Sequence, residues 1–152
     1  MNQNTRSELQ RFKTLAEELP RQIPYLKMLI LFGSRARGDT HAKSDWDFAA
    51  LFDNELREAC VKERAFGWWE VPNLIGEIFD INSDKIDVVD LNRCSTLIAH
   101  FIARDGLLIY EEKLGDFENF KKQATMSNED LKEIEKSLRQ QVENFLQEWG
   151  VK

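Results

Sequence analysis

The residues that could act together chemically lie in one short stretch. Gly33-Ser34 is followed by ten residues, Arg35 to Ser44, and then by Asp45-Trp46-Asp47. Glycine lets a backbone turn sharply and approach a ligand with no Cβ in the way. Ser34 then opens a helical turn, where unpaired N–H groups and the hydroxyl favour an anion. Arg35 and Arg37 supply charge that can contact phosphate, and Gly38 ends the turn. Side chains two apart on a strand share a face and stand roughly 6–7 Å apart along it, so Asp45 and Asp47 form a pair. Trp46 and Phe48 point the other way, into a core. Paired carboxylates bind hard divalent cations, and Mg²⁺ takes a few carboxylates together with water and substrate phosphates. A phosphate cradle beside a carboxylate pair is the equipment of metal-assisted phosphoryl or nucleotidyl transfer.

A third carboxylate is available on Lys85-Ile86-Asp87-Val88-Val89-Asp90-Leu91. Asp87 and Asp90 are three positions apart and face opposite sides of a strand, so only one can join the pair. Asp87 sits mid-strand between apolar neighbours, where a carboxylate is costly unless it is paired or binds a cation. Asp90 lies at the strand end, near water. Asp87 is therefore the choice. Gly-Ser, Asp-x-Asp and a pair of arginines each have ordinary explanations alone; in this order, followed by an apolar strand carrying an aspartate, they have few. His41 reads as a loop residue and His100 as helix surface or a satisfied core polar group. Neither is assigned a catalytic role. Trp68, Trp69 and Trp149 read as core or interface.

These residues need elements to hold them. Leu9, Phe12, Leu15, Ala16 and Leu19 recur at helical spacing, with Ser7 as a cap and Pro20 and Pro24 as stops. Met28 to Phe32 is a continuous apolar run, the signature of a strand buried on both faces. Asp45 to Phe52 is a second strand. Asn54 to Ile78 reads as mostly helical, with Cys60, Val61, Phe66 and Trp69 turned inward and Gly67, Pro72 and Gly76 as breaks. Lys85 to Leu91 is a third strand. Ser95 to Ala103 is a helix ended by the Arg104-Asp105-Gly106 turn, and Leu107 to Tyr110 is a short fourth strand. Ser127 with Asp130 is a capping-box signal. After it, Leu131, Ile134, Leu138, Val142, Phe145, Leu146 and Trp149 form one apolar stripe, expected to face this chain's own core, with a partner as the alternative. The order gives an α/β (α+β) layer, a small mixed sheet flanked by helices with a helical C-terminal extension.

Composition narrows the classes. A chain of 152 residues is one-domain size. At 42% hydrophobic and 32% charged it is too apolar for disorder and too charged for a membrane protein. The formal charge of −6 argues against nucleic-acid binding by bulk charge but allows a local basic pocket. Two cysteines, Cys60 and Cys94, are too few for a disulfide scaffold and read as thiols of a reducing compartment. The longest apolar run is far short of a membrane span, and the N-terminus lacks the pattern of a signal peptide. The expectation is a soluble cytoplasmic protein.

The spacing Gly33-Ser34, ten residues, Asp45-Trp46-Asp47, with Asp87 on a later strand, resembles the minimal nucleotidyltransferases of the DNA polymerase beta superfamily. The resemblance covers about residues 8 to 112. Within the superfamily the chain is similar to the MntA antitoxins of HEPN/MNT toxin–antitoxin systems. The Gly-Ser-Arg-Ala-Arg-Gly phrase, the short length and the helical C-terminal extension carry that likeness.

The resemblance implies a polymerase-beta-like fold, with residues 1–112 as the nucleotidyltransferase domain and 113–152 as an extension of the same globular unit. It implies ATP as substrate, held by Gly33 and Ser34 with Arg35, Arg37 and Ser44 in the nucleotide-binding set. Two Mg²⁺ ions would be held by Asp45, Asp47 and Asp87, with Asp87 also favouring loss of the acceptor proton. The acceptor would be a tyrosine hydroxyl of a HEPN-domain ribonuclease toxin, which AMP transfer silences.

The rival readings are a small-molecule (antibiotic) nucleotidyltransferase and an antitoxin acting by binding alone. The first usually needs a further domain or a dimer. The second is disfavoured because an unused cluster of like charges destabilises. A template-dependent polymerase does not suit a chain with this negative balance and no basic groove.

Overall fold

The structure, a computed structural model, describes residues 2–41, 43–62 and 70–150. Phe66, Gly67, Trp68 and Trp69 lie outside the described residues. The elements in chain order are α1 (Gln3–Leu15), α2 (Leu19–Gln22), β1 (Leu26–Phe32), α3 (Ser34–Arg37), β2 (Trp46–Phe52), α4 (Asn54–Lys62), α5 (Glu70–Phe79), β3 (Ile86–Asp90), α6 (Thr96–Asp105), β4 (Leu107–Glu111), α7 (Asp116–Ala124) and α8 (Asn128–Glu148).

The strands form one mixed sheet in the order β3-β2-β1-β4. β1 runs antiparallel to both β2 and β4, and β2 runs parallel to β3. A parallel neighbour requires a crossover, and the chain makes it through α4 and α5. This topology decides where chemistry can sit. The C-terminal end of β1 lies beside the starts of β2 and β4, and the start of β3 lies beside that of β2, so these strand ends meet at one edge.

Apart from Lys27, β1 is apolar because both of its faces are covered. Leu29 and Leu31 join Trp46, Phe48 and Ala50 on the face packed by α1, α2 and α5. Met28 and Ile30 join Ala49 on the other, against Ile102 of α6 and Phe117 of α7. Phe12 anchors the first face, with its ring centroid 4.5 Å from Phe79 and 5.2 Å from Trp46. Asp47 shares the strand face of Ala49, so alternation sends Trp46 and Phe48 into the core and leaves the carboxylate out of it.

Several helix boundaries differ from the sequence reading. The cap of α1 is Asn2, not Ser7; its side chain accepts the Thr5 N–H at 2.7 Å and its Nδ2 donates to the Gly38 carbonyl at 3.4 Å. The extreme N-terminus is thereby tied to the glycine-rich turn. Pro20 does not stop a helix but sits in the first turn of α2, where no N–H partner is needed. Pro72 lies within α5, which is described from Glu70 onward. Gly76 is inside α5 because a Cβ there would stand 2.6 Å from the Ile81 carbonyl oxygen. β1 begins at Leu26, and α6 runs to Asp105, with Ser95 capping it by accepting the Ile98 N–H. His100 is buried, its Nδ1 accepting the Met126 N–H at 2.9 Å while Nε2 has no partner.

The largest departure is α8. Ser127 caps it as the sequence suggests, accepting the Asp130 N–H. The stripe does not face the core, however: no α8 residue is buried, and Val142, Phe145 and Trp149 are 57%, 56% and 69% exposed. Periodicity specifies an apolar face but not what covers it. Phe145→Ala is therefore expected to cost less than about 1 kcal/mol in urea unfolding, against about 3–5 kcal/mol for Phe12→Ala, whose ring is fully enclosed.

Candidate active site

Gly33 follows the last residue of β1 and adopts φ 74°, ψ −158°, a region open essentially to glycine alone. The turn aims the chain into α3. The N–H groups of Ala36 and Arg37 close onto the Gly33 carbonyl; those of the first residues of a helix have no partner within it and remain donors to a ligand. A Cβ on Gly33 would collide with Asp47 Oδ2. The glycine turn and the Asp47 carboxylate are thus in direct apposition, as a phosphate cradle against a cation site would require.

Asp47 is opposite Phe32 on one side and Asp87 on the other. Asp87 shares its register and therefore its face. Asp45 stands just before β2, exposed. Asp47 is half-buried, and its pKa is raised above the ordinary carboxylate range. Burial is the largest cause, followed by the negative charges of Asp87 and Asp45; Arg37 acts in the opposite sense. Asp47 therefore feels both of the other carboxylates.

Asp87 is placed differently from the sequence picture in one respect. It is the second residue of β3 and exposed, rather than enclosed mid-strand. Asp90, read as solvated, is instead held by Arg57 at 3.2 Å in a largely buried pair. Arg57 in turn lies over the Phe52 ring.

The remaining residues of the set have defined partners. Arg37 is exposed and pairs with Asp39 at 3.3 Å. Ser44 is buried; its hydroxyl accepts the His41 N–H and its own N–H reaches the His41 carbonyl, closing the turn before Asp45. Arg35 donates to the Ser44 carbonyl at 2.8 Å and lies over Trp46.

Sequence reasoning passed over Asp105 as part of a turn. Its pKa is lowered, first by the hydrogen bond from Arg104, and Arg37 and His100 act in the same direction. The Arg37 charge thus lowers the pKa of both Asp47 and Asp105. Only the pairing of β4 with β1, Leu107 opposite Leu31, brings Asp105 to this edge; no local signal announces it.

Asp45, Asp47 and Asp87 offer hard carboxylate oxygens, which suit Mg²⁺ rather than a soft metal. A cation among them would offset the charges of Asp87 and Asp45, which add to the effect of burial in raising Asp47. Among the described residues no three His, Cys, Asp or Glu side chains converge into a ready-made metal cage. Among the same residues no helix is long and apolar enough to cross a membrane.

A family model described as polymerase beta, nucleotidyltransferase, matches residues 13–114. The protein adenylyltransferase MntA of Aphanizomenon flos-aquae is 51% identical over 139 residues, spanning 91% of this chain and 93% of that protein. A solved toxin–antitoxin structure with AMP-PNP superposes with a TM-score of 0.55 at 24% identity, covering 89% of this chain and 98% of the other. A tri-AMPylated Shewanella oneidensis HEPN toxin in complex with MNT antitoxin gives 0.54 at 20% identity, covering 92% and 98%. At such identities the two structures speak to the fold, which is that of a polymerase-beta-like nucleotidyltransferase.

Proposed function

The chain belongs to the polymerase beta nucleotidyltransferase family, and from that premise we propose that it is an antitoxin that transfers AMP from ATP to a tyrosine hydroxyl of a HEPN-family ribonuclease toxin. The observation that carries the reading is the apposition of the Gly33 turn to Asp47, with Asp87 in register beside it. The MntA likeness supports a protein acceptor, and the complexes of similar fold support a toxin partner and an ATP-type ligand.

In this reading Gly33 and Ser34 hold the triphosphate. The glycine keeps the backbone close, and the Ser34 hydroxyl and the N–H groups opening α3 donate to phosphate oxygens. Arg37 provides a cation beside Asp47. Asp45, Asp47 and Asp87 would hold two Mg²⁺ ions. Bound there, the ions would neutralise charge developing at the α-phosphate and on the pyrophosphate. Asp87, exposed at the strand start, is open to an incoming acceptor and favours loss of its hydroxyl proton. The acceptor oxygen forms a bond to the α-phosphorus as the bond to the bridging oxygen breaks, and pyrophosphate leaves. Residues 1–112 would form the transferase unit and 113–152 its extension. The setting would be the cytoplasm, where ATP is present and Cys60 and Cys94 stay as the free thiols they are here.

Co-expression with a HEPN toxin, followed by intact mass spectrometry of the toxin after incubation with ATP and Mg²⁺, tests the proposal. One or more AMP increments are expected, and none with the Asp45→Asn, Asp47→Asn double variant. Neutralised toxicity with an unmodified toxin would replace this reading by inhibition through binding alone.

A further inference from the structure

We infer that Arg35 is a positioning residue for Asp45, not a ligand of the nucleotide. The inference rests on the reading of Asp45 as part of the transfer site, and it assigns Arg35 a different task from the one its sequence position suggests. An arginine directly after the Gly-Ser pair looks available to phosphate. In the structure one of its N–H groups and the face of its guanidinium are held by the two residues that flank Asp45.

Nη2 of Arg35 donates to the Ser44 carbonyl at 2.8 Å, and Cζ stands 4.1 Å from the Trp46 ring centroid. Its Nε is enclosed, away from solvent and without an acceptor. Both flanking residues are themselves fixed. Ser44 is locked in its turn by two hydrogen bonds with His41, at 2.9 and 3.0 Å. Trp46 is buried edge-on against Phe12. Asp45 is exposed and precedes the first paired residue of β2. Its direction is therefore set by the backbone on either side, and Arg35 ties both sides to α3, the same turn that carries Gly33 and Ser34. One planar group thus fixes the distance between the phosphate cradle and the first carboxylate.

Planarity is essential to this role. A guanidinium can stack on an indole and donate in its own plane at the same time; an ammonium is a point charge and cannot do both. Loss of the strut lets Asp45 wander, and a displacement of about 1 Å in a positioning element can cost on the order of 10²-fold in rate.

The test is a double-mutant cycle read in equilibrium Mn²⁺ affinity with AMP-PNP present, for the full chain. Arg35→Lys keeps the charge and loses the plane. It is expected to weaken Mn²⁺ binding about tenfold with Asp45 in place, and less than about twofold in an Asp45→Asn background, because its effect passes through Asp45. Trp46→Phe retains an aromatic face and is expected to stay near wild type. Trp46→Leu removes the face and is expected to reproduce Arg35→Lys, which keeps the test open should that variant fold poorly. Equal losses from Arg35→Lys in both backgrounds would overturn the inference and make Arg35 a direct nucleotide contact. Unchanged Mn²⁺ affinity in Asp45→Asn alone would overturn the site reading, and this inference with it.

Discussion

An Asp47→Asn variant is expected to lose AMP transfer by about 10³-fold or more while melting at a higher temperature than the parent chain in the absence of metal. The activity loss follows from removing the central carboxylate of three, the one in apposition to the Gly33 turn and in register with Asp87. A thousandfold corresponds to about 4 kcal/mol of transition-state stabilisation, an ordinary magnitude for a group acting as part of a unit. The gain in stability follows from the same placement. Burial and the charges of Asp87 and Asp45 hold the Asp47 pKa above the ordinary carboxylate range, so the ionised form is less favourable in the folded chain than in the unfolded one.

The sign of the pH dependence is fixed by linkage. A raised folded-state pKa means that the folded chain binds more protons than the unfolded chain between the two values. Stability is therefore lost as pH rises from the ordinary carboxylate value through the raised one, and the penalty is complete above it. Melting temperatures measured from about pH 4 to pH 7 should show this loss in the parent chain and a weaker one in Asp47→Asn. Mg²⁺ with AMP-PNP should restore the parent more than the variant. An equally active variant, or one that melts lower at neutral pH without metal, would contradict this account of the site.

Gly33→Ala is the second large expected effect, and it should damage stability and activity together. The backbone at Gly33 is in a glycine-only conformation, so any side chain costs about 1–3 kcal/mol before contacts are considered. The new methyl would also collide with Asp47 Oδ2. Either the turn opens or the carboxylate swings away, and a shift near 1 Å at a reacting centre can cost about 10²-fold. Gly115→Ala is the matched control. Gly115 has φ 100°, but a methyl placed there would meet nothing within 4 Å, so that variant should lose some stability with AMP transfer intact. Urea unfolding and toxin modification measured on both variants separate strain from the collision with Asp47. If both variants lose only stability, the contact between Gly33 and Asp47 has no functional weight.

The strands, their alternation and the order of the elements were legible because they are local. The run from Met28 to Phe32 announces a strand covered on both sides, and the structure packs α1, α2 and α5 on one face and α6 and α7 on the other. The ends were less legible. Asn2 caps α1 through a hydrogen bond that any early polar residue could offer. Pro20 reads as a breaker but occupies a first turn, where the missing N–H has no helical partner to lose. Gly76 reads as a break but is a point of close approach to the Ile81 carbonyl. The α8 stripe reads as core, and exposure of Phe145 and Trp149 reverses that.

The sequence alone determined the Gly33-Ser34 turn and the opposed sides of Asp87 and Asp90, since strand parity and glycine's freedom are properties of the chain itself; Asp45 precedes β2, so parity does not set its side. The tertiary structure alone decided that Asp87 lies opposite Asp47, because a register between strands some forty residues apart depends on how α4 and α5 pack the crossover. It also decided that Arg35 points at Ser44 and Trp46, that Arg57 takes Asp90, and that Asp105 reaches the same edge as Asp47. A long charged side chain has many rotamers, and only the surrounding atoms select the one whose hydrogen bonds and ring contacts repay its loss of freedom.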